Sequence, residues 1–260
     1  MPDAANTGVP AGTVLTRRDG DLTITTPGTV IDGLDIHGFV TIKAADVTIR
    51  RSIVRGGVAA LTSGNRSLIT STYPGVLIED TELAPEFPSV RIDGLKGYGF
   101  TARRLNIHDA VDNALIWGDN TTIENSYLHH NRHYATDPNQ GGGPSHDDSI
   151  QVQGGTSIRI AGNTLTGAYG AALQVTQDVA LTTNLTYTGN WADNGGCTTN
   201  ISEKGKGPLK GLTITANKFG TTTRVTDCPV ILPATTAAIA TINTNTYQAT
   251  GLPARIRANG

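Results

Sequence analysis

The sequence predicts an all-β protein, a single-domain right-handed parallel β-helix of about nine coils. Nine segments fit one template, in which an inward aliphatic residue is followed, after spacer or polar positions, by a second apolar residue. They are residues 31–36, 49–54, 78–83, 102–107, 123–128, 160–165, 187–192, 214–219 and 242–247. A strand-like pattern that recurs about every 20–50 residues is typical of a solenoid.

A second family of short strands supports the same fold. Its members are residues 90–92, 114–117, 150–153 and 173–176. Because side chains alternate along a strand, we expect one inward row and one outward row. The predicted inward row is Ile92, Ile116, Val152 and Val175, and the predicted outward row is Arg91, Leu115, Gln151 and Gln174. Trp117 and Gln153 lie two residues further along.

Asparagine recurs at one template position in the last four coils. The residues are Asn163, Asn190, Asn217 and Asn245. Asparagine tolerates turn conformations, and stacked asparagines can hydrogen-bond along the axis of a solenoid. The repeat therefore predicts an asparagine ladder at one corner of the coils.

The composition excludes some classes of function. Hydrophobic residues make up 37% of the chain, which suits a solenoid because each coil needs only a narrow inward stripe. A net charge of -2 argues against a nucleic-acid partner. No run of about 18 apolar residues is present, so we expect no membrane span. We expect a monomer.

The ends of the chain and its two cysteines suggest secretion. Residues 1–12 are interpreted as an extension left by processing of a signal peptide, and residues 13–260 as the β-helix domain. In a secreted protein, Cys197 and Cys228 would form a disulfide between neighbouring coils, which is the favoured interpretation. In a cytosolic protein they would be two buried thiols.

Three motifs resemble those of secreted actinobacterial proteins of the right-handed parallel β-helix class. The residues are 28–34 (GTVIDGL), 47–52 (VTIRRS) and 145–154 (SHDDSIQVQG). The first two are coil patterns, whereas the third places a His and an Asp just before an Ile-Gln strand. The resemblance implies carbohydrate chemistry, as in pectate and alginate lyases, pectinase-like hydrolases and uronate epimerases. The class also has structural members, so fold alone does not assign a function.

The longest step of the repeat, 37 residues from position 126 to position 163, marks an insertion. It contains four of the six histidines, and we expect the functional site here. The predicted catalytic residues are His129, His130, His133, Tyr134, His146, Asp147 and Asp148. We expect His108 to align with His129, and Asp109 with His130, about 4.8 Å apart on adjacent coils.

Asp112 is predicted to align with Asp148 on the neighbouring coil. Two carboxylates this close would repel, so one is protonated or a cation lies between them. Asp112 and Asp148 are therefore a candidate Ca²⁺ site, although no cofactor is required by the pattern. Zinc is disfavoured because no His pair on a helix and no suitable Cys pair is present.

The favoured function is β-elimination on an acidic, uronate-containing polysaccharide. This reaction needs a base, an acid and a group that neutralises the carboxylate, and the insertion supplies several candidates. Trp117 offers a platform for a sugar ring. The predicted substrate-binding residues are Arg91, Trp117, Arg132, Gln151, Gln153, Gln174 and Lys204.

Two alternatives stay open. The first is inverting hydrolysis by Asp112, Asp147 and Asp148, because residues 110–116 and 146–152 are similar to two segments of the pectinase-like hydrolases. Two further motifs of that family are altered, since Tyr169 stands where a His is expected and residues 203–206 lack the Arg-x-Lys pattern. The second alternative is a non-catalytic glycan-binding or structural solenoid.

Overall fold

The computed structural model describes residues 1–259 and forms three parallel β-sheets, which we call sheets A, B and C. Gly260, the last residue of the predicted domain, lies outside the described residues. Each coil contributes one strand to each sheet in turn, and every strand pairs with its counterpart one coil away. The parallel β-helix prediction is confirmed. No helix of residues 1–259 is long and apolar enough to cross a membrane.

The strands are short. Sheet A contains Thr16–Asp19, Leu34–His37, Ile53–Val54, Glu82–Leu83, Asn106–His108, Tyr127–His129, Thr164–Leu165, Trp191–Ala192, Lys218–Phe219 and Thr246–Tyr247. Sheet B contains Leu22–Ile24, Val40–Ile42, Arg66–Ser71, Ile92–Gly97, Ala114–Ile116, Ile150–Val152, Leu173–Val175, Thr199–Ile201, Val230–Pro233 and Ile256–Asn259. Sheet C contains Val30–Asp32, Thr48–Arg50, Val76–Glu79, Phe100–Arg103, Thr121–Glu124, Gly155–Ala161, Thr182–Thr188, Thr213–Thr215 and Thr241–Asn243. A 3₁₀ turn at Pro138–Gln140 and an α-helix at Ala234–Ala237 are the helical elements of the described chain.

The nine template segments are the corners where a strand of sheet C turns into a strand of sheet A. The inward positions at both ends of a segment are buried in the seven middle segments, as Ile123 and Leu128 illustrate. Ile31, Ile242 and Tyr247, in the first and last segments, are half-buried. The third residue of every segment has a left-handed backbone, with φ between 47° and 70°. This conformation turns the chain in one residue and suits glycine or asparagine best. Ala216 and Thr244 nevertheless adopt it in the last coils.

The predicted asparagine ladder is confirmed. The side-chain amides of Asn163, Asn190 and Asn217 each donate to the Oδ1 atom of the next asparagine, at 2.9–3.0 Å. Asn245 completes the ladder, and Ser126 extends it by donating its backbone N–H to Asn163 Oδ1 at 3.0 Å. These bonds join consecutive coils inside a buried corner, where an unpaired amide would be costly.

The predicted register of sheet B is wrong at its fourth strand. Gly97 pairs with Ile116, and Lys96 pairs with Leu115, where Ile92 and Arg91 were expected. The strand is six residues long, and its first residues, Ile92 and Asp93, pair only with the strand Arg66–Ser71 of the preceding coil. From Leu115 onward the predicted outward row is correct, because Gln151 and Gln174 follow in register.

A disulfide joins Cys197 and Cys228, as predicted. It links two neighbouring coils of sheet B just before the strands that begin at Thr199 and Val230. Residues 1–12 contact the solenoid, since the backbone N–H of Gly8 donates to the carbonyl oxygen of Arg104 at 2.8 Å.

Candidate functional site

The outward face of sheet B carries a groove formed by two adjoining cavities of about 400 and 460 Å³. Both cavities are lined by His146, Gln151, Asp178 and Lys204. Seven residues predicted from the sequence lie here, namely Arg91, Asp112, His146, Gln151, Gln153, Gln174 and Lys204. The structure therefore brings together most of the predicted substrate-binding residues and one predicted catalytic histidine.

The floor of the groove is a row of outward side chains on successive coils. In register, the row reads Lys96, Leu115, Gln151, Gln174 and Asn200. Leu115 and Gln151 are only 6% and 8% exposed, although they point away from the core. The insertion covers them, so the middle of the row is the floor of a recess.

The insertion is a loop with paired legs. Tyr134 and Ser145 bond to each other twice, through the Ser145 N–H to the Tyr134 carbonyl and the Tyr134 N–H to Ser145 Oγ, both at 2.9 Å. Further out, the N–H of Asp137 donates to the carbonyl oxygen of Gly143 at 2.7 Å. Asp137 also accepts the N–H of Asn139 at 2.8 Å and so caps the 3₁₀ turn at the tip.

Asp112 and Asp148 lie in register on adjacent coils, as predicted, and both are buried. Asp112 Oδ1 accepts the backbone N–H of Asp148 at 2.8 Å. Burial, and then the charge of Asp148, raises the pKa of Asp112 well above its usual range. Burial raises the pKa of Asp148 to about 8, and its Oδ1 has no hydrogen-bond partner. Asp148 therefore keeps its proton at neutral pH, and burial beside it disfavours a charge on Asp112.

A third acidic residue, Asp93, lies on the same floor. Burial raises the pKa of Asp93, while the nearby charge of Lys96 opposes that shift. Within residues 1–259, no group of three or more His, Cys, Asp or Glu side chains is arranged to hold a metal ion. Calcium binding by Asp112 and Asp148 stays a prediction, and the proton on Asp148 provides another way to relieve their repulsion.

Three cationic side chains line the first cavity. Lys96 Nζ lies 3.8 Å from Asp93 Oδ2, and Lys204 Nζ lies 3.0 Å from Asp178 Oδ1. Arg91 is half-buried and forms no ion pair with the described residues. Asp178 is ionised beside Lys204, because hydrogen bonds and the lysine charge lower its pKa, so Arg91 is the cation of this cavity that no carboxylate of the described chain pairs with.

Trp117 borders the groove without lining either cavity. It is half-buried, and Lys96 Nζ lies 5.6 Å from the centre of its ring. The ring of Tyr98 meets it edge-on, with centroids 6.2 Å apart. The ring of Trp117 therefore positions the Lys96 ammonium through a cation–π contact. Stacking of a sugar on this ring stays a prediction.

The predicted histidine row lies on sheet A, away from the groove. His108 and His129 pair in register, as expected, and their rings stack 5.0 Å apart. His129 is buried, its Nε2 lies 2.9 Å from Asn106 Oδ1, and it contacts His130 through Nδ1. Burial lowers the pKa of His129 to about 4, so it is neutral and held between neighbours. These contacts favour a structural role.

Arg132 and Tyr134 also point toward that side. Arg132 forms an ion pair with Asp109 at 2.6 Å. Tyr134 is half-buried, and burial raises the pKa of its phenol. Neither residue lines the groove cavities of the described chain.

His133 and Asp147 form a separate pair next to a cavity of about 340 Å³. His133 Nδ1 lies 2.7 Å from Asp147 Oδ1, and Asp147 Oδ2 accepts the N–H of Tyr169 at 2.8 Å. The Tyr169 ring stacks on His133 at 3.8 Å, and the Arg224 guanidinium lies 3.5 Å from the same ring. Asp147 is fully buried. It therefore orients His133 and does not face the groove.

Sequence reasoning missed several residues of the groove. Asp93, Lys96, Asp137 and Asp178 line its first cavity. Lys96 could be found only from the correct register of its strand. It occupies the position beside Leu115 at which the sequence pattern placed Arg91, five residues earlier. Asp137 reaches the groove through the path of the insertion, for which the coil pattern contains no information.

Comparison with known proteins yields no match to a family model, to a curated protein or to a solved structure.

Proposed function

We propose that this protein cleaves an acidic, uronate-containing polysaccharide by β-elimination in the groove on sheet B. One observation carries the proposal: Arg91, Lys96 and Lys204 line the same cavity as His146 and Asp112. A uronate brings a carboxylate that must be neutralised before its C5 proton becomes acidic, and the cations in this cavity meet that need. The chain would be a secreted enzyme with a polysaccharide as its partner.

The proposed roles of base and acid follow from the positions of His146 and Asp112 in the groove and from the environment of each side chain. His146 is exposed and lines both cavities, so its imidazole is the candidate base for the C5 proton. Asp112 lines the first cavity, and burial raises the pKa of its carboxyl well above the usual range, so this carboxyl is the candidate acid for the leaving oxygen. The electron pair of the C5–H bond forms the C4–C5 double bond as the C4–O bond breaks. Gln151 and Gln153 supply amide hydrogen bonds along the floor.

Hydrolysis is the second candidate, because a buried carboxyl with a raised pKa also suits the acid of a glycoside hydrolase. The three carboxyls weighed for hydrolysis do not act as one set, however. Asp147 is bound to His133 at another cavity, and Asp148 lies buried without lining the groove. A hydrolase would have to take its base from Asp93, Asp137 or Asp178.

The test is incubation with polygalacturonate, alginate and hyaluronan, followed by near-ultraviolet absorbance and product mass. β-Elimination gives unsaturated ends that absorb, and hydrolysis gives reducing ends that do not. His146→Ala should reduce turnover by about 10²- to 10⁴-fold. His130→Ala is the matched control, since His130 is also exposed but directly follows the sheet A strand Tyr127–His129 and lines neither groove cavity, and it should leave turnover unchanged. Equal loss in both variants would contradict the assignment, and reducing ends without absorbance would favour hydrolysis.

A further inference from the structure

We infer that the groove accepts the end of a polysaccharide chain, so that cleavage is exo-acting. This inference rests on the proposed function and concerns the shape of the same site. It follows from three features: a roof over the middle of the groove, a closed end next to the early coils, and an open end toward the last coils.

The roof is the tip of the insertion. Asp137, Asn139 and Gln140 line the first cavity from above, opposite Lys96 and Leu115 on the floor. Asp137 is only 4% exposed, which shows that the loop packs down on the sheet. The paired legs at Tyr134 and Ser145 make the roof a built element, because they satisfy its backbone groups internally.

The closed end is formed by a contact between the roof and another loop. The side chains of Asn65 and Asn139 exchange two hydrogen bonds, at 3.0 and 3.3 Å. Asn65 directly precedes the strand Arg66–Ser71, one coil before Lys96, and both asparagines line the first cavity. The insertion therefore reaches across the sheet and closes the groove beyond Arg91.

The other end has no such contact. The second cavity runs from His146 past Gln174 and Asn200 to Asn259 in the last strand of sheet B. Gln174 and Asn200 are half-buried, whereas Leu115 and Gln151 under the roof are buried. The row thus becomes more accessible as it leaves the roof.

A chain that enters from the last coils has its terminal sugar stopped at the Asn65–Asn139 contact. The cations Arg91 and Lys96 then face the terminal residues, next to Asp112. A segment from the interior of a polysaccharide would have to extend out of the groove at both ends. The Asn65–Asn139 contact blocks one of those ends. The geometry therefore selects chain ends.

The experiment follows the size of whichever of the three uronans is cleaved, from the first time point, by size-exclusion chromatography. We expect small products together with a polymer peak that keeps its position. Fragments of intermediate size at early times would overturn the inference while leaving the proposed function intact. Absence of cleavage of any uronan would overturn the proposed function and the inference with it.

A variant tests the roof directly. Replacing residues 138–142 by two glycines removes the tip and the Asn139 contact, while the leg pair at Tyr134 and Ser145 stays. Its circular dichroism and melting should match wild type before product analysis. We expect intermediate fragments to appear. A folded variant that keeps the wild-type product pattern would show that the roof does not select chain ends, and the wild-type pattern would stand as the test if this variant did not fold.

Discussion

Asp148→Asn should stabilise the protein at neutral pH. Asp148 is 2% exposed, and burial raises its pKa from an ordinary 3.8 to about 8. The unfolded chain loses this proton near pH 4, but the folded chain keeps it until about pH 8. Stability from this group is therefore complete below pH 4 and is lost as the pH rises toward 8. An asparagine has no proton to lose and avoids the loss.

The magnitude follows from the shift. At about 1.4 kcal/mol per pKa unit, the difference between variant and wild type should grow from near zero at pH 4 to about 4 kcal/mol at pH 7. A chain of this size gains about 2–4 °C of Tm per kcal/mol, so the variant should melt roughly 10 °C higher at pH 7.

The assay is thermal or urea unfolding of both proteins from pH 4 to pH 8. Asp19→Asn is the control, because Asp19 is an exposed carboxylate in a surface ion pair and should change stability by less than about 1 kcal/mol. A wild-type protein as stable as Asp148→Asn at pH 7 would refute the reasoning. A loss of wild-type stability on chelation would then identify a cation between Asp112 and Asp148.

Two further predictions concern the coil corners. Asn190→Ala removes four side-chain hydrogen bonds from a fully buried site and should cost about 4 kcal/mol in urea unfolding, whereas the exposed Asn243→Ala should cost less than about 0.5 kcal/mol. Equal costs would show that the ladder is not a stabilising element. Ala216→Gly should raise stability by about 0.5–1 kcal/mol, because Ala216 has φ +55°. Ala238→Gly, at φ -66°, should lower it, and the same sign in both would contradict the strain argument.

The coil repeat was predictable because a solenoid repeats the same physical demand in every turn. Inward residues such as Ile123 and the Asn190 ladder position follow from counting along the template. The spacing of Cys197 and Cys228 places them about one coil apart, and secretion was the premise that favoured the disulfide over two thiols. The register at Lys96 was not predictable, because the preceding loops vary in length and nothing local fixes where pairing begins.

The site was predictable only in part. The concentration of histidine and aspartate residues in the insertion predicted a site there, and the insertion does cover the groove. Neighbours in sequence nevertheless separate in space, since alternate positions and loop legs face different sides. His146 lines the groove, His133 binds Asp147 at another cavity, and His129 packs on sheet A. Only the path of the folded loop determines which of these three positions each histidine takes.

The central claim is that an acidic polysaccharide is cleaved in the groove on sheet B. Two lysines offer a matched test, because Lys96 lies 5.6 Å from the Trp117 ring on sheet B and Lys218 lies 5.5 Å from the Trp191 ring on sheet A. We predict that Lys96→Met lowers kcat/KM for the cleaved uronan by about 10²-fold, whereas Lys218→Met leaves it unchanged. An unchanged kcat/KM in Lys96→Met, or an equal loss in both variants, would contradict the claim.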